Sequence, residues 1–256
     1  VQDIFLNETG EFADVVLPSA CFAEKDGTFS NTERRVQRIR KAVDAPGNAK
    51  PDWQIISQLA AKMGYAMNYS SAEEVMKEIN ELTPSYAGIT YERIEEEGLQ
   101  WPCPNTEHPG TKYLHKDKFT RGLGLFSPID YRPSEELPDK EYPFYLSTGR
   151  ILYQFHTGTM TRRTKGLVEK APESLVEINP QDAGKLGIEE GNFVKITSRR
   201  GSVQAKAKVT KRPPEGTVFM TFHFREAAVN LLTSPALDPI GKIPEYKVCA
   251  VKVEAA

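Results

Sequence analysis

Cysteine is scarce in this chain of 256 residues, and the three present, Cys21, Cys103 and Cys249, lie far apart. No CxxC and no ferredoxin-like spacing occurs, so neither a zinc site nor an iron–sulfur cluster is encoded by these residues. An odd number of dispersed thiols points instead to reduced cysteines and a cytoplasmic setting. Histidine is equally thin: His108, His115, His156 and His223 are scattered, which argues against a self-contained metal site. No apolar run approaches the length of a membrane span. An excess of one charge is missing too. With 33 Lys and Arg against 35 Asp and Glu the net charge is −2, and no global basicity points to nucleic acid. Neither a Walker loop nor a GxGxxG turn is found. The opening VQDIFLNETG lacks the basic start and apolar stretch of a signal peptide and carries no initiator Met. It reads as the middle of a domain, so the expectation is a fragment or a processed piece.

The length suits one large core or two ordinary domains. Residues 3–17 read as strand, polar turn, strand, with Ala13–Leu17 a buried-strand pattern stopped by Pro18. Five cations then crowd together: Arg34, Arg35, Arg38, Arg40 and Lys41. They fit a solvated basic face, with Glu24 and Glu33 near enough to pair, better than a nucleic-acid patch, because no aromatics are interleaved. Asp52 reads as the cap of a helix whose Trp53, Ile56, Leu59, Ala60 and Met63 share one face and which Gly64 ends. Ser71 and Glu74 form a capping-box pattern ahead of Val75, Met76 and Ile79. Prolines then punctuate residues 80–141, a stretch with little periodicity. Within it, Cys103 and His108 are too few to hold a metal.

From Tyr142 the pattern is that of a compact β domain. Leu175–Ile178 is a strand, and Asn179 caps a short helix over Pro180–Leu186. Asn192–Ser198 and Ser202–Thr210 are strands joined by a turn at Arg200-Gly201, the second alternating apolar and polar residues. Gly216–Met220 and Cys249–Val253 complete the set. The stretch most suggestive of chemistry is Tyr145–Gly166, YLSTGRILYQFHTGTMTRRTKG. Hydroxyls, amides and guanidiniums are packed beside glycines that permit close backbone approach. Such a set suits a polyanionic ligand such as a nucleotide diphosphate. On residue type alone it fits a polar loop with a solvated basic tail as well.

Three motifs carry a resemblance. They are ETG…ADVVLP (Glu8–Gly10, Ala13–Pro18), ExxGTxxNxERRVQ (Glu24–Thr28, Asn31–Gln37), and TGR followed by HTGTMTRR (Thr148–Arg150, His156–Arg163). The chain resembles the C-terminal portion of molybdopterin-dependent oxidoreductases over nearly its whole length. LxWPCP followed by HPGTxxL, at Leu99–Pro104 and His108–Leu114, is similar to the large subunits of the formate dehydrogenase branch. The resemblance implies part of an α/β domain at 1–79, an irregular connection at 80–141, and a double-psi β-barrel at 142–256 that binds the dinucleotide. It implies that Thr148, Gly149, Arg150, Gln154, His156, Thr157, Gly158, Thr159, Asn230, Tyr246 and Lys247 contact two molybdopterin guanine dinucleotides carrying molybdenum or tungsten. The family usually places His where this chain has Gln154, which cannot carry a proton near neutral pH.

No catalytic residue and no metal ligand is expected within the chain. The metal ligand and a 4Fe-4S cluster belong to the family's N-terminal part, the first implied partner. Iron–sulfur electron-transfer subunits are the second, with formate and carbon dioxide the substrates of the whole. Another oxidoreductase of the superfamily, nitrate reductase-like or a respiratory-complex subunit, and a non-catalytic barrel used for assembly are the alternatives.

Overall fold

The computed structural model describes all 256 residues, which divide into two compact units, Val1–Ser127 and Pro128–Ala256. In the first unit β1 (Gln2–Asp3) pairs in parallel with β2 (Leu17–Pro18). Between them lies a one-turn helix, α1 (Glu8–Glu11), whose Asn7 side chain accepts from Gly10 N–H at 3.0 Å. The strands expected at Ile4–Leu6 and Ala13–Leu17 are therefore corrected to a turn, a helical turn and a short β-ladder. Val15 is 62% exposed, so the apolar pattern there does not mark burial in this unit. Asn7 prefers to cap rather than extend, which is what the sequence reading overlooked.

β3 (Gly27–Ser30), β4 (Arg35–Ile39) and β5 (Leu99–Gln100) form an antiparallel sheet in that order. Two helices follow β4: α2 (Asp52–Lys62) and α3 (Ala72–Leu82). Pro51, not Asp52, occupies the cap of α2, and the Asp52 carboxylate takes Lys25 and Gln2 instead. The buried positions of α2 are Ile55 and Ser57, while Ile56, Leu59 and Met63 stay exposed. Ser71 caps α3 by accepting from Glu74 N–H at 3.2 Å. The Glu74 carboxylate reaches back one residue further than a capping box requires, to Ser70 N–H at 2.6 Å. Met76 packs with Val36, Ile89, Tyr91, Ile94 and Cys103. Gly88 is required there, because a Cβ would lie 1.9 Å from the Asn105 carbonyl oxygen.

The second unit is a closed barrel of β6 (Phe144–Gly149), β7 (Leu175–Ile178), β8 (Phe193–Thr197), β9 (Ser202–Val209), β10 (Thr217–Thr221) and β11 (Cys249–Ala255). Around the ring the order is β10-β6-β11-β8-β9-β7. β6–β10 and β7–β9 are parallel and the other four pairs antiparallel. Two parallel pairs demand crossing connections, since a tight hairpin cannot return a strand parallel to itself. The barrel is the double-psi form that the family resemblance implied. Period-two burial fills it: Val203, Ala205 and Ala207 of β9 point inward, with Leu146, Val176, Ile178, Ile196, Met220 and Val251 from the other strands. Helices α4 (Lys165–Lys170) and α5 (Pro180–Leu186) lie in the connections. Asn179 caps α5 and Gly187 ends it with φ 65°.

A strap before β6 is fastened by Glu136. Its carboxylate accepts from Arg199 Nη1 at 2.9 Å, Arg200 Nη1 at 2.6 Å and Ala250 N–H at 3.0 Å. Burial alone would raise the Glu136 pKa, but the hydrogen bonds from Arg200 and Ala250 and the two guanidinium charges outweigh it and hold it low. Nearby, burial and then the Glu136 charge push the Cys249 thiol up to about 11, so it stays protonated at neutral pH.

A carboxylate with a depressed folded pKa contributes stability above its unfolded value, near 4.3, and loses it as pH falls through the folded value. The barrel is expected to weaken below about pH 4.3 partly for this reason. Glu136→Gln, measured by denaturant unfolding at pH 7, should cost about 1.5–3 kcal/mol and flatten that acid limb.

Candidate functional site

The parallel pair β6–β10 places two chain exits side by side, with Gly149 opposite Thr221 and Thr148 opposite Met220. The loop 150–160 leaves one strand and the segment 222–230 leaves the other at the same end. On the other flank of β6, β11 runs antiparallel with Cys249 opposite Leu146, which brings the preceding turn, Tyr246-Lys247, back beside Thr148. Thr148 is buried and fastens that turn: its Oγ1 donates to the Tyr246 carbonyl at 2.6 Å, and its own carbonyl accepts from Lys247 Nζ at 2.8 Å. Asn230 sits on a short 3-10 turn whose neighbours Val229 and Leu232 are fully buried, which turns Asn230 outward.

These exits enclose a cleft of about 750 Å³ lined by Arg150, His156, Phe222, Asn230, Thr233, Pro244, Tyr246 and Lys247. Two cations line it and no carboxylate does. The Arg150 guanidinium lies 5.8 Å from the centroid of the Phe222 ring, and Lys247 Nζ 5.3 Å from that of Tyr246. Neither cation has an acidic partner, so both charges are available to an anion. The donor set of guanidinium, ammonium, amide and imidazole suits phosphate oxygens, and Phe222 and Tyr246 add aromatic surface for a ring system. The barrel fits a phosphorylated, ring-bearing ligand on these grounds.

Of the residues singled out in the sequence, Arg150, His156, Asn230, Tyr246 and Lys247 line the cleft, and Thr148 supports it. Gly149 ends β6, where a Cβ would meet the Phe219 ring at 2.6 Å. Gln154 is buried, with its amide spent inside the loop: Nε2 donates to the Ala171 carbonyl at 3.0 Å and Oε1 accepts from Thr161 at 2.7 Å. Thr157 and Thr159 share a hydroxyl contact at 3.1 Å away from the cleft lining. Gly158 holds φ 73°, which a side chain would resist. The sequence reading passed over Phe222, Thr233, Pro244 and, beneath them, His223. A polar residue between two phenylalanines directly after a strand was the available signal for His223.

The basic cluster of the first unit, expected as a solvated face, is largely consumed internally; Glu33 pairs with Arg35, while Glu24 accepts from Cys21 N–H. Arg34, at φ 67°, donates to the carbonyls of Trp101, Thr111 (3.0 Å) and Lys112 (3.2 Å). Arg35 holds Gly98 O at 2.8 Å and Glu33, while Arg38 and Arg40 converge on Glu95. Hydrogen bonds from Arg40, together with both guanidinium charges, hold Glu95 below the usual carboxylate range. In the barrel, Arg162 is likewise neutralised by Glu226. No group of three or more His, Cys, Asp or Glu side chains is placed to hold a metal ion, and no helix is long and apolar enough to cross a membrane. The three cysteines are free thiols.

Two family models match parts of the chain. Residues 144–250 match the family model described as molydopterin dinucleotide binding domain, and residues 1–62 that of molybdopterin oxidoreductase. The alpha subunit of F420-dependent formate dehydrogenase from Methanocaldococcus jannaschii is 58% identical over 99% of this chain and 38% of its own length. Formate dehydrogenase H of Escherichia coli is 42% identical over 99% of this chain and 36% of its own length. The chain thus spans little more than a third of these curated relatives. The solved structure of acetylene hydratase from Pelobacter acetylenicus superposes with a TM-score of 0.72 at 19% identity, covering 98% of this chain and 39% of that one, a likeness of fold.

Arg34→Ala should release three carbonyls at once. We expect a loss of about 2–3 kcal/mol in the first unit, read by denaturant unfolding, with the barrel transition unmoved.

Proposed function

The chain belongs to the molybdopterin oxidoreductases, and from that premise we propose that it is the cofactor-clamping part of a formate dehydrogenase alpha subunit. The observation that supports this most is the cleft at the barrel rim, with two cations that have no acidic partner and no carboxylate in its lining, in a chain of net charge −2. In this reading Arg150 makes paired hydrogen bonds to one phosphate, a geometry lysine does not reproduce. Lys247 supplies a point charge to a neighbouring phosphate while keeping its bond to Thr148. Asn230 and His156 hydrogen-bond the guanosine portion, and Phe222 and Tyr246 cover ring surface and keep water from the phosphates. Taking several phosphate charges out of water is tolerable only with cations and donors already in place.

When bound, the pterin dinucleotides supply the dithiolene sulfurs that hold a molybdenum or tungsten ion for formate oxidation. The residues of this chain bind and orient the tails and hold no metal. Gln154, Thr157, Gly158 and Thr159 shape the loop that presents Arg150 and His156, and Gly149 gives it its start. The division proposed is an α/β part at 1–79, a connection at 80–141 and the barrel at 142–256. The metal ligand, a 4Fe-4S cluster and the contacts to iron–sulfur electron-transfer subunits are assigned to the remainder of the protein, in the cytoplasm. Formate oxidation with F420 as acceptor, the activity for which the archaeal relative is named, is the reaction proposed for the whole.

The test is mass spectrometry of the complete native protein for pterin guanine dinucleotide, alongside formate-dependent reduction of F420. Arg150→Ala should lower cofactor retention roughly ten- to a hundredfold, corresponding to about 1.5–3 kcal/mol for a lost charged hydrogen bond. The melting temperature should stay within about 1 °C, as for a surface residue with no partner to strand. A fully active protein containing no pterin dinucleotide, or an Arg150→Ala variant that retains it unchanged, would overturn the proposal.

A further inference from the structure

His223 is the one imidazole in the chain with no solvent exposure. A buried polar ring is costly unless both nitrogens find partners, and both do. Its Nε2 faces the backbone N–H of Ile151 at 3.1 Å, and its Nδ1 faces the backbone carbonyl of His156. These partners fix the chemistry of the ring. An N–H only donates, so Nε2 is bare. A carbonyl only accepts, so Nδ1 carries the hydrogen. The ring is therefore the neutral Nδ1–H tautomer, with each nitrogen committed.

Both bonds go to the same loop, one near its start and one near its middle. Ile151 follows Arg150, the guanidinium of the cleft, and His156 is itself a lining residue. His156 stands at φ 47°, a left-handed conformation uncommon for a residue with a side chain, and two residues later Gly158 stands at φ 73°. The imidazole also contacts the rings of Phe222, at 4.9 Å between centroids, and Phe224, at 6.4 Å. The backbone of His223 bears on the loop as well: a Cβ on Gly158 would come within 3.0 Å of the His223 carbonyl oxygen.

We propose that His223 is a positioning residue for the dinucleotide cleft, a neutral two-ended tie that sets the distance between Arg150 and His156 in the rim loop. The proposal rests on the reading of the cleft given above. It assigns a task to a side chain that touches no ligand. The tie is made to the loop and not to the barrel core, so losing it loosens the rim and leaves the strands intact.

Two substitutions each remove half of the tie. His223→Asn keeps a donor near the position of Nδ1 and cannot reach Ile151. His223→Gln keeps an acceptor near the position of Nε2 and abandons the His156 carbonyl. The protein is to be produced as the full assembly in a host that makes no pterin, and probed by hydrogen exchange and by binding of GDP. In His223→Asn the Ile151 amide should exchange at least tenfold faster. In His223→Gln the faster amides should be Phe155 and Gly158, which bond to Thr161 Oγ1 at 3.1 Å and to the Phe155 carbonyl at 2.8 Å. Amides of β6 and β10 should be unchanged, and GDP should bind about tenfold more weakly in both variants. Uniform acceleration across the barrel, or rim exchange and GDP affinity equal to the parent, would overturn the tie. A parent protein that binds no GDP would overturn the reading of the cleft, an outcome the exchange patterns keep separate.

Discussion

The hydrogen-bonded position of β6 between β10 and β11 is the constraint from which the site follows. Its parallel partner delivers Phe222 and His223 to the end where β6 releases Arg150. Its antiparallel partner delivers Tyr246 and Lys247 to the same end from the other side. Shifting either register by one residue would reverse which side chains face the core and send those loops elsewhere. Residues nearly a hundred positions apart meet because the ring is closed, and the Thr148 bonds to Tyr246 and Lys247 record that meeting.

Charge placement explains why so balanced a chain can serve an anionic ligand. Most arginines are committed elsewhere: Arg34 to carbonyls, Arg38 and Arg40 to Glu95, Arg162 to Glu226, and Arg199 and Arg200 to Glu136. Arg150 and Lys247 instead face a cleft whose lining includes no carboxylate. A count of basic residues would have pointed to residues 34–41, where the cations are densest and least available. Local pairing, invisible to composition, reverses that ranking.

Much of the barrel was legible. The alternation of Val203, Ala205 and Ala207, the Asn179-Pro180 helix start and the Arg200-Gly201 turn are local signals, and the strands they mark appear within a residue or two. The opening of the chain was not, because Asn7 directs a helical turn and the apolar run at residues 13–17 is not buried in its own unit. Within residues 80–141, the packing of Ile89, Ile94 and Cys103 with Val36 and Met76 had no period to betray it; it depends on Gly88 letting one backbone lie on another. At the site, motif resemblance located Arg150, His156, Asn230, Tyr246 and Lys247 along the chain. Their convergence, and the service of Gln154 within the loop, are products of tertiary structure.

The ring of strands has a consequence for how this portion joins anything else. A sheet closed on itself offers no open row of amide and carbonyl groups, so another polypeptide cannot extend it by adding a strand. Any neighbour must grip the barrel through side chains and protruding loops. Such attachment depends on shape and charge at each contact, so point mutations on that outer surface will alter assembly one partner at a time, while the ring beneath keeps its form.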